Sequence, residues 1–497
     1  MATRGTVREY DPDNIKEFYE MVCFTRSLSP VRGNRIKLVS SAESDGFGVA
    51  KCRRDFADAI AYFCAYNGDP DSVTAVALGK MNTKVILWVA SNANVPGKVI
   101  DFLENDVLNI VQGLAHSNTK QGQLPSGEPE IVASLLQKIL QFTRKKIFKY
   151  YKAAIVTWKD IREFSNPEGL GKMNTDLSMF CEWFKSGFYK SGVMLEECDM
   201  PDLAIRCYIA RINKIFGVLR HGSCQGNEQR LDYERLYKLL GKLGKHIGLF
   251  ERMMHATDTL RRDFREGFIV KSIPASTPKR IPLPELNEQA MEKIVARVFR
   301  TEDERDHFYH HLNRFYNKKE IFQSLQRCKE KSRVRVHAEI LLIDYFDKFG
   351  GDFFDNEDKY IGCSKPACYL CYQYIREHPA NYTLPPTHQK LYHSWSLPIV
   401  RANDHNYAER LGRHKRFLHK VTDTLRSDLR NEVQRQVAPR KHHADSTAGT
   451  SSIADTGTAR PTWKASNHAI CALVQLIAEI RAKCDVDTED GGVMLHC

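Results

Sequence analysis

Apolar residues recur at helical spacing from Asp13 to Ser27 and again from Arg53 to Tyr66, where Phe56, Ile60, Phe63 and Cys64 share one face. Two unbroken apolar runs of strand length follow, Val73 to Leu78 and Val85 to Ala90, and the short link Gly79 to Lys84 predicts a hairpin. From about residue 97 to about residue 330 the helical period dominates. Val99 to Leu114, Pro129 to Phe164, Pro201 to Arg220, Tyr233 to Phe268 and Leu286 to Lys331 read as helices, interrupted by a Pro-rich stretch near 270–285. After Arg335 the pattern alternates. It predicts a helix over His337 to Phe349, a strand over Tyr360 to Ser364 and a helix over Cys368 to Glu377. A short strand near Lys390 to Leu397 and a long charged helix over Asn406 to Val437 complete an α/β layer pattern. Ala438 to Ala465, rich in Ser, Thr, Ala and Gly, is predicted disordered, with one further short helix over His468 to Lys483.

Composition narrows the class. Hydrophobic residues make up 42% and charged residues 27%, the balance of a soluble globular chain. No segment reads as a secretory signal, and none approaches the roughly 18 unbroken apolar residues of a spanning helix. The expectation is an intracellular protein, cytoplasmic or nuclear. In a reducing compartment the 14 cysteines are metal ligands or buried thiols rather than disulfides. Cys23, Cys64, Cys181, Cys207 and Cys328 stand singly in apolar helical stretches, whereas Cys363, Cys368 and Cys371 cluster.

A formal charge of +12 is compatible with a polyanionic partner. Two basic runs stand out. Arg144, Lys145, Lys146, Lys149 and Lys152 interleave with Phe142, Phe148, Tyr150 and Tyr151, and Arg410, Arg413, Lys415, Arg416 and Lys420 lie on the late helix. Either could contact phosphates, the first with base stacking, and either could be a solvated helix face.

The candidate chemistry lies in His337-Ala338-Glu339 and Cys368-Tyr369-Leu370-Cys371. Cys368 and Cys371, three apart in the first turn of a helix, share one face, and Pro366 suits the helix start. A helix N-terminus favours the thiolate that metal binding requires. His337 and Glu339 converge at the start of the preceding helix. One His and two Cys would hold Zn²⁺ with a fourth position open for water, and Glu339 would move protons. Cys363 leaves an alternative open: with it the site becomes a closed Cys₃His zinc that only stabilises the fold. On the predicted strand, His393 and Trp395 share a face and are candidates to line a pocket for a flat base, close to His388.

These residues resemble the cytidine deaminase-like superfamily, and more narrowly a fungal family of nucleic acid/nucleotide deaminases. The resemblance is carried by Val336 to Glu339, Tyr360 to Cys371 and His388 to Trp395. It implies a three-layer core, a mixed sheet flanked by helices, that opens helix, strand, strand before the first zinc helix. The region upstream of His337 reads as helix, so the missing opening is assigned to Arg53 to Ala90. The expected organisation is therefore an N-terminal helical segment (1–49), a first core part (50–96), an all-helical insertion (97–330), the zinc-binding core part (331–437), a disordered linker (438–466) and a short C-terminal helix with tail (467–497). An independent N-terminal hairpin domain is the alternative. The resemblance also makes Asn92 and Asn94, after the second strand, candidates for substrate contact. The function implied is hydrolytic deamination of a cytosine or adenine base in a nucleic acid or nucleotide. Two alternatives remain: a non-catalytic interaction protein with a structural zinc, and a nucleic-acid-binding module without chemistry.

Overall fold

Helix α1 (Pro12–Leu28) and helix α2 (Phe47–Cys64) precede a hairpin of strands β1 (Thr74–Met81) and β2 (Lys84–Ser91). The computed structural model describes residues 12–37, 47–117, 129–164, 173–224, 230–280, 287–330, 333–354 and 356–436. The predicted disordered linker and terminal helix lie outside them. The hairpin turns at Asn82, whose φ of 55° falls in the left-handed region that a short polar side chain tolerates.

The central parts of both hairpin strands are apolar because both faces of the sheet are covered there. Val76, Leu78, Val85, Leu87 and Val89 pack into one core with α2 and the residues of the insertion. Ala75, Ala77, Ile86, Trp88 and Ala90 pack into a second core with α1 and the C-terminal half.

Four helices of the insertion fall into two pairs. Helices α3 (Pro129–Phe142) and α4 (Arg144–Phe164) are separated at Thr143, whose hydroxyl donates to the Ile139 carbonyl at 2.8 Å. Helices α5 (Arg230–Leu243) and α6 (Lys245–Thr259) are separated at Gly244. The single long helices expected over Pro129 to Phe164 and Tyr233 to Phe268 are therefore each broken. So is Pro201 to Arg220, which is interrupted where Lys214 adopts a φ of 60°. Apolar periodicity runs on through a one-residue break and does not report it.

The insertion is also not all-helical. Tyr189–Lys190 and Val193–Met194 form a small hairpin, and Lys279–Arg280 pairs with Arg333–Val334. Strand β3 (Phe268–Ile273) pairs in parallel with β2, from Val85 with Phe268 to Ala90 with Ile273. Gly267, at φ 87°, turns the chain from helix into this strand. Leu286 to Lys331 resolves into three helices, Glu288–Val298, Glu302–Phe315 and Lys318–Glu330.

The last elements are α7 (Ala338–Phe349), β4 (Ile361–Cys363), α8 (Tyr369–Arg376) and α9 (Tyr407–Gln434). Strand β4 pairs antiparallel with β1, so the mixed sheet runs β3-β2-β1-β4. Lys390 to Leu397 is a correction: it is not a strand but a run of turns touching neighbours at single bridges, Val31 with Lys390 and Arg335 with Trp395. Its backbone groups pair with several segments in turn, including Leu391 N–H to Pro30 O at 2.9 Å and Ser396 N–H to Arg335 O at 2.9 Å. No helix among the described residues is long and apolar enough to cross a membrane.

The basic run on α9 is largely occupied internally. Arg410 is buried and ion-paired with Asp344 on α7 and with Asp404, Arg413 pairs with Asp347 on α7, and Lys420 pairs with Glu377. These pairs fix α7 against α9. On the other side, Gly362 of β4 meets α2 backbone to backbone: a Cβ there would lie 2.7 Å from Ala57 C and 2.8 Å from Asp58 N. Gly362→Ala must therefore push α2 away from the strand that leads to the cysteines. The expected cost is about 1–3 kcal/mol, read as a lower midpoint in urea unfolding.

Candidate metal centre

His337 is the N-cap of α7 and Cys368 the N-cap of α8, both in extended backbone conformation. The two helix starts face each other. This brings His337 Nδ1 to 3.6 Å from Cys368 Sγ and 3.3 Å from Cys371 Sγ. The three ligand atoms lie within 4.8 Å of one another, a group that could hold a metal ion. A tetrahedral zinc with ordinary Zn–N and Zn–S bonds sets its N···S separations near 3.5 Å. The donors already stand at that spacing, so the site fits such an ion without rearrangement. Three protein donors leave one position of a tetrahedron open.

The electrostatics suit a cation. Burial opposes ionisation of Cys368, but hydrogen bonding with Cys371 and the charge of His337 hold its thiol well below the ordinary value. Burial pushes the His337 imidazole down, and the Cys368 thiolate more than offsets it, leaving His337 raised. Cys371 is pushed well up, first by burial and then by its hydrogen bond with Cys368. A cation taking these donors would displace their remaining protons.

Glu339, in the first turn of α7, is only 4% exposed, and its Oε2 is buried without a hydrogen-bond partner. Burial raises its carboxyl above the usual range, and His337 and the nearby Cys363 thiol oppose the rise. Cys363, on β4, stands outside the three-donor group and faces Glu339 instead. Burial holds its thiol well above the ordinary value.

The other expected site residues are placed differently. Asn92 is 9% exposed; its Oδ1 accepts from Ala338 N–H at 2.9 Å and its Nδ2 donates to Pro70 O at 2.9 Å. It thus latches the end of β2 to the start of α7. Asn94 is exposed and accepts from Ala275 N–H at 2.9 Å. Trp395 is fully buried in the core between Phe18 and Phe417. Its indole N–H lies beside the Cys371 thiol without closing a good hydrogen bond. His393 sits beside the Cys328 thiol, with both ring nitrogens buried. The expectation for this pair assumed strand alternation, and the segment is not a strand.

Tyr392 was not among the expected residues, and His388 was noted only as lying close to the pair. Tyr392 is half-buried, its ring 6.2 Å from that of His337 and edge-on to it. His388 is buried, accepts from Lys390 N–H at 3.0 Å, and is pushed by burial to a pKa of about 3. The density of His and aromatic residues over 388–395 was the available signal. Asp58, which accepts from Cys363 N–H at 3.2 Å and Tyr360 O–H at 3.0 Å, gave none.

Residues 336–399 match the family model described as OTT_1508_deam-like deaminase. No curated protein and no solved structure matches the chain. The matched segment contains His337, Glu339, Cys363, Cys368 and Cys371. Together with the metal-competent group, the match supports a deaminase.

The latch carries a prediction. Asn92→Ala leaves the buried Ala338 N–H without an acceptor and is expected to cost about 1–3 kcal/mol in chemical denaturation. The same variant should bind zinc more weakly in competition with a chromophoric chelator, because His337 loses its fixed position.

Proposed function

We propose that this chain is a zinc-dependent hydrolytic deaminase of the cytidine deaminase-like superfamily, acting on a cytosine or adenine base of a nucleic acid or nucleotide. The observation that carries this reading is Glu339: a buried carboxyl with an unpartnered oxygen beside His337, Cys368 and Cys371. A metal that only stabilises a fold has no use for such a group, whose burial is costly. With the insertion and its strand β3 set aside, the order helix, strand, strand, zinc helix, strand, zinc helix supports the superfamily placement. The fungal nucleic acid/nucleotide family is the finer reading, and the +12 charge suits a phosphate-bearing substrate.

His337, Cys368 and Cys371 would hold the zinc. When bound with an open position, zinc acts as a Lewis acid that brings the ionisation of water toward about pH 7. Glu339 takes a proton from the attacking water as its oxygen adds to the ring carbon that bears the amino group. The same carboxyl gives that proton to the adjacent ring nitrogen. Transfer of the second water proton to the amine then lets the C–N bond break, leaving a carbonyl and ammonia. One water is consumed and one ammonia released. A carboxyl raised by burial suits a group that must hold and then return a proton. Tyr392, beside His337, offers an aromatic edge to a flat ring.

Two measurements test this. X-ray absorption at the zinc edge should find two sulfur and two lighter neighbours; three sulfurs would put Cys363 on the metal and end the open-site reading. Glu339→Gln should keep its fold and its zinc while ammonia release from cytosine- or adenine-containing nucleotides and oligonucleotides falls at least about 10²-fold. Undiminished release by that variant overturns the role of Glu339.

A further inference from the structure

Cys363 faces Glu339, next to the metal donors, without joining them. A loop of four residues links it to Cys368, and its side chain turns on a single torsion. A third soft thiolate binds zinc readily and would fill the position that water needs. An open centre therefore requires something that holds this thiol away.

The backbone of Cys363 is held from α2. Strand β4 is the edge of the sheet, and the Cys363 N–H finds its acceptor not on another strand but on Asp58, at 3.2 Å. The buried Tyr360 donates its hydroxyl to the same carboxyl at 3.0 Å. Arg54 lies one turn before Asp58 on the same face of α2 and holds Asp358 through N–H groups at 2.7 and 2.9 Å. Helix α2 thus grips the run into the metal cysteines at Asp358, Tyr360 and Cys363, with Gly362 pressed against its backbone. Burial lifts the Asp58 carboxyl to about 6, against the pull of Arg252, which leaves it largely ionised and a strong acceptor at neutral pH. Burial, then Glu339 and Asp58, also keep the Cys363 thiol protonated against the influence of Lys365. A protonated thiol is a poor zinc ligand.

We propose that Asp58 is a positioning residue for the metal centre: by holding the Cys363 N–H and the Tyr360 hydroxyl, it keeps the Cys363 thiol against Glu339 and off the metal, so that the fourth position stays open. This rests on the three-donor reading of the centre and names what excludes a fourth donor from it. It also gives the first core part a task at the site, since Asp58 lies in α2 and the cysteines lie far along the chain.

The test uses the full-length, zinc-loaded protein and X-ray absorption at the zinc edge. The wild type should show two sulfurs and two lighter neighbours. Asp58→Ala releases the Cys363 backbone and should show three sulfurs and one lighter neighbour. Adding Cys363→Ser to that variant should return the count to two, which identifies the incoming thiol. Asp58→Asn keeps an acceptor for the Cys363 N–H and should also show two. Should Asp58→Ala not fold, Asp58→Ser replaces it, because its shorter side chain stops short of the N–H and should likewise admit the third sulfur. A merely structural role for Asp58 would lower stability and leave the sulfur count alone. Two sulfurs in folded Asp58→Ala or Asp58→Ser overturn the proposal, as do three in Asp58→Asn or three that persist without Cys363. Three sulfurs in the wild type overturn the open-site reading itself, so the two failures are told apart.

Discussion

Two helix starts meet at His337 and Cys368, and the sheet, the latch and the ion pairs all bear on keeping them together. Helix N-termini carry partial positive charge and do not approach each other freely. The Cys368 thiolate between them offsets that charge, and a divalent cation taking His337, Cys368 and Cys371 joins the ends more firmly. Each start is anchored separately. Asn92 holds the first backbone amide of α7, and Asp344 and Asp347 tie the body of that helix to Arg410 and Arg413. The start of α8 is held by the 386–390 segment, through Ala367 N–H to Pro386 O and Tyr369 N–H to Lys390 O, both 2.9 Å. That segment is held in turn by residues 30–36, through Arg32 N–H to Gln389 O at 2.8 Å and Thr387 N–H to Ile36 O at 2.9 Å. The N-terminal part of the chain thus supports the cysteines at one remove.

Burial sets the chemistry of this centre more than any single charge does. It raises Glu339 and Cys363 and opposes the ionisation of Cys368, and the donors that remain available are those with a partner able to offset it. The same rule applies at Tyr62, with the sign reversed. There burial pushes the bases Lys146 and His246 down.

Much of the site was legible because its chemistry is local. His337 with Glu339, and Cys368 with Cys371, are short-range spacings at helix starts, and spacing alone places them on converging turns. The hairpin β1–β2 was legible because sheets covered on both faces leave unbroken apolar runs. What failed was non-local. Strand β3 has six residues between a helix and a Pro-rich stretch, too few for periodicity to separate from its neighbours. Trp395 and His393 were given a shared face by an alternation that a run of turns does not have. Asn92 was singled out for substrate contact, and what it grips is the backbone of a helix that begins far along the chain.

The pairing of β1 with β4 has a consequence for how the chain is made. On a ribosome the hairpin emerges early, one edge of β1 bare and both its faces apolar, and its partner Cys363 is still unsynthesised. At about 5–20 residues per second, roughly 15–55 s separate the end of β2 from the arrival of β4. Strand β3 can close the β2 edge sooner, but the β1 edge must wait. An exposed strand edge is a template for wrong pairing. The nascent chain therefore passes through a long interval in which that edge is open to wrong pairing.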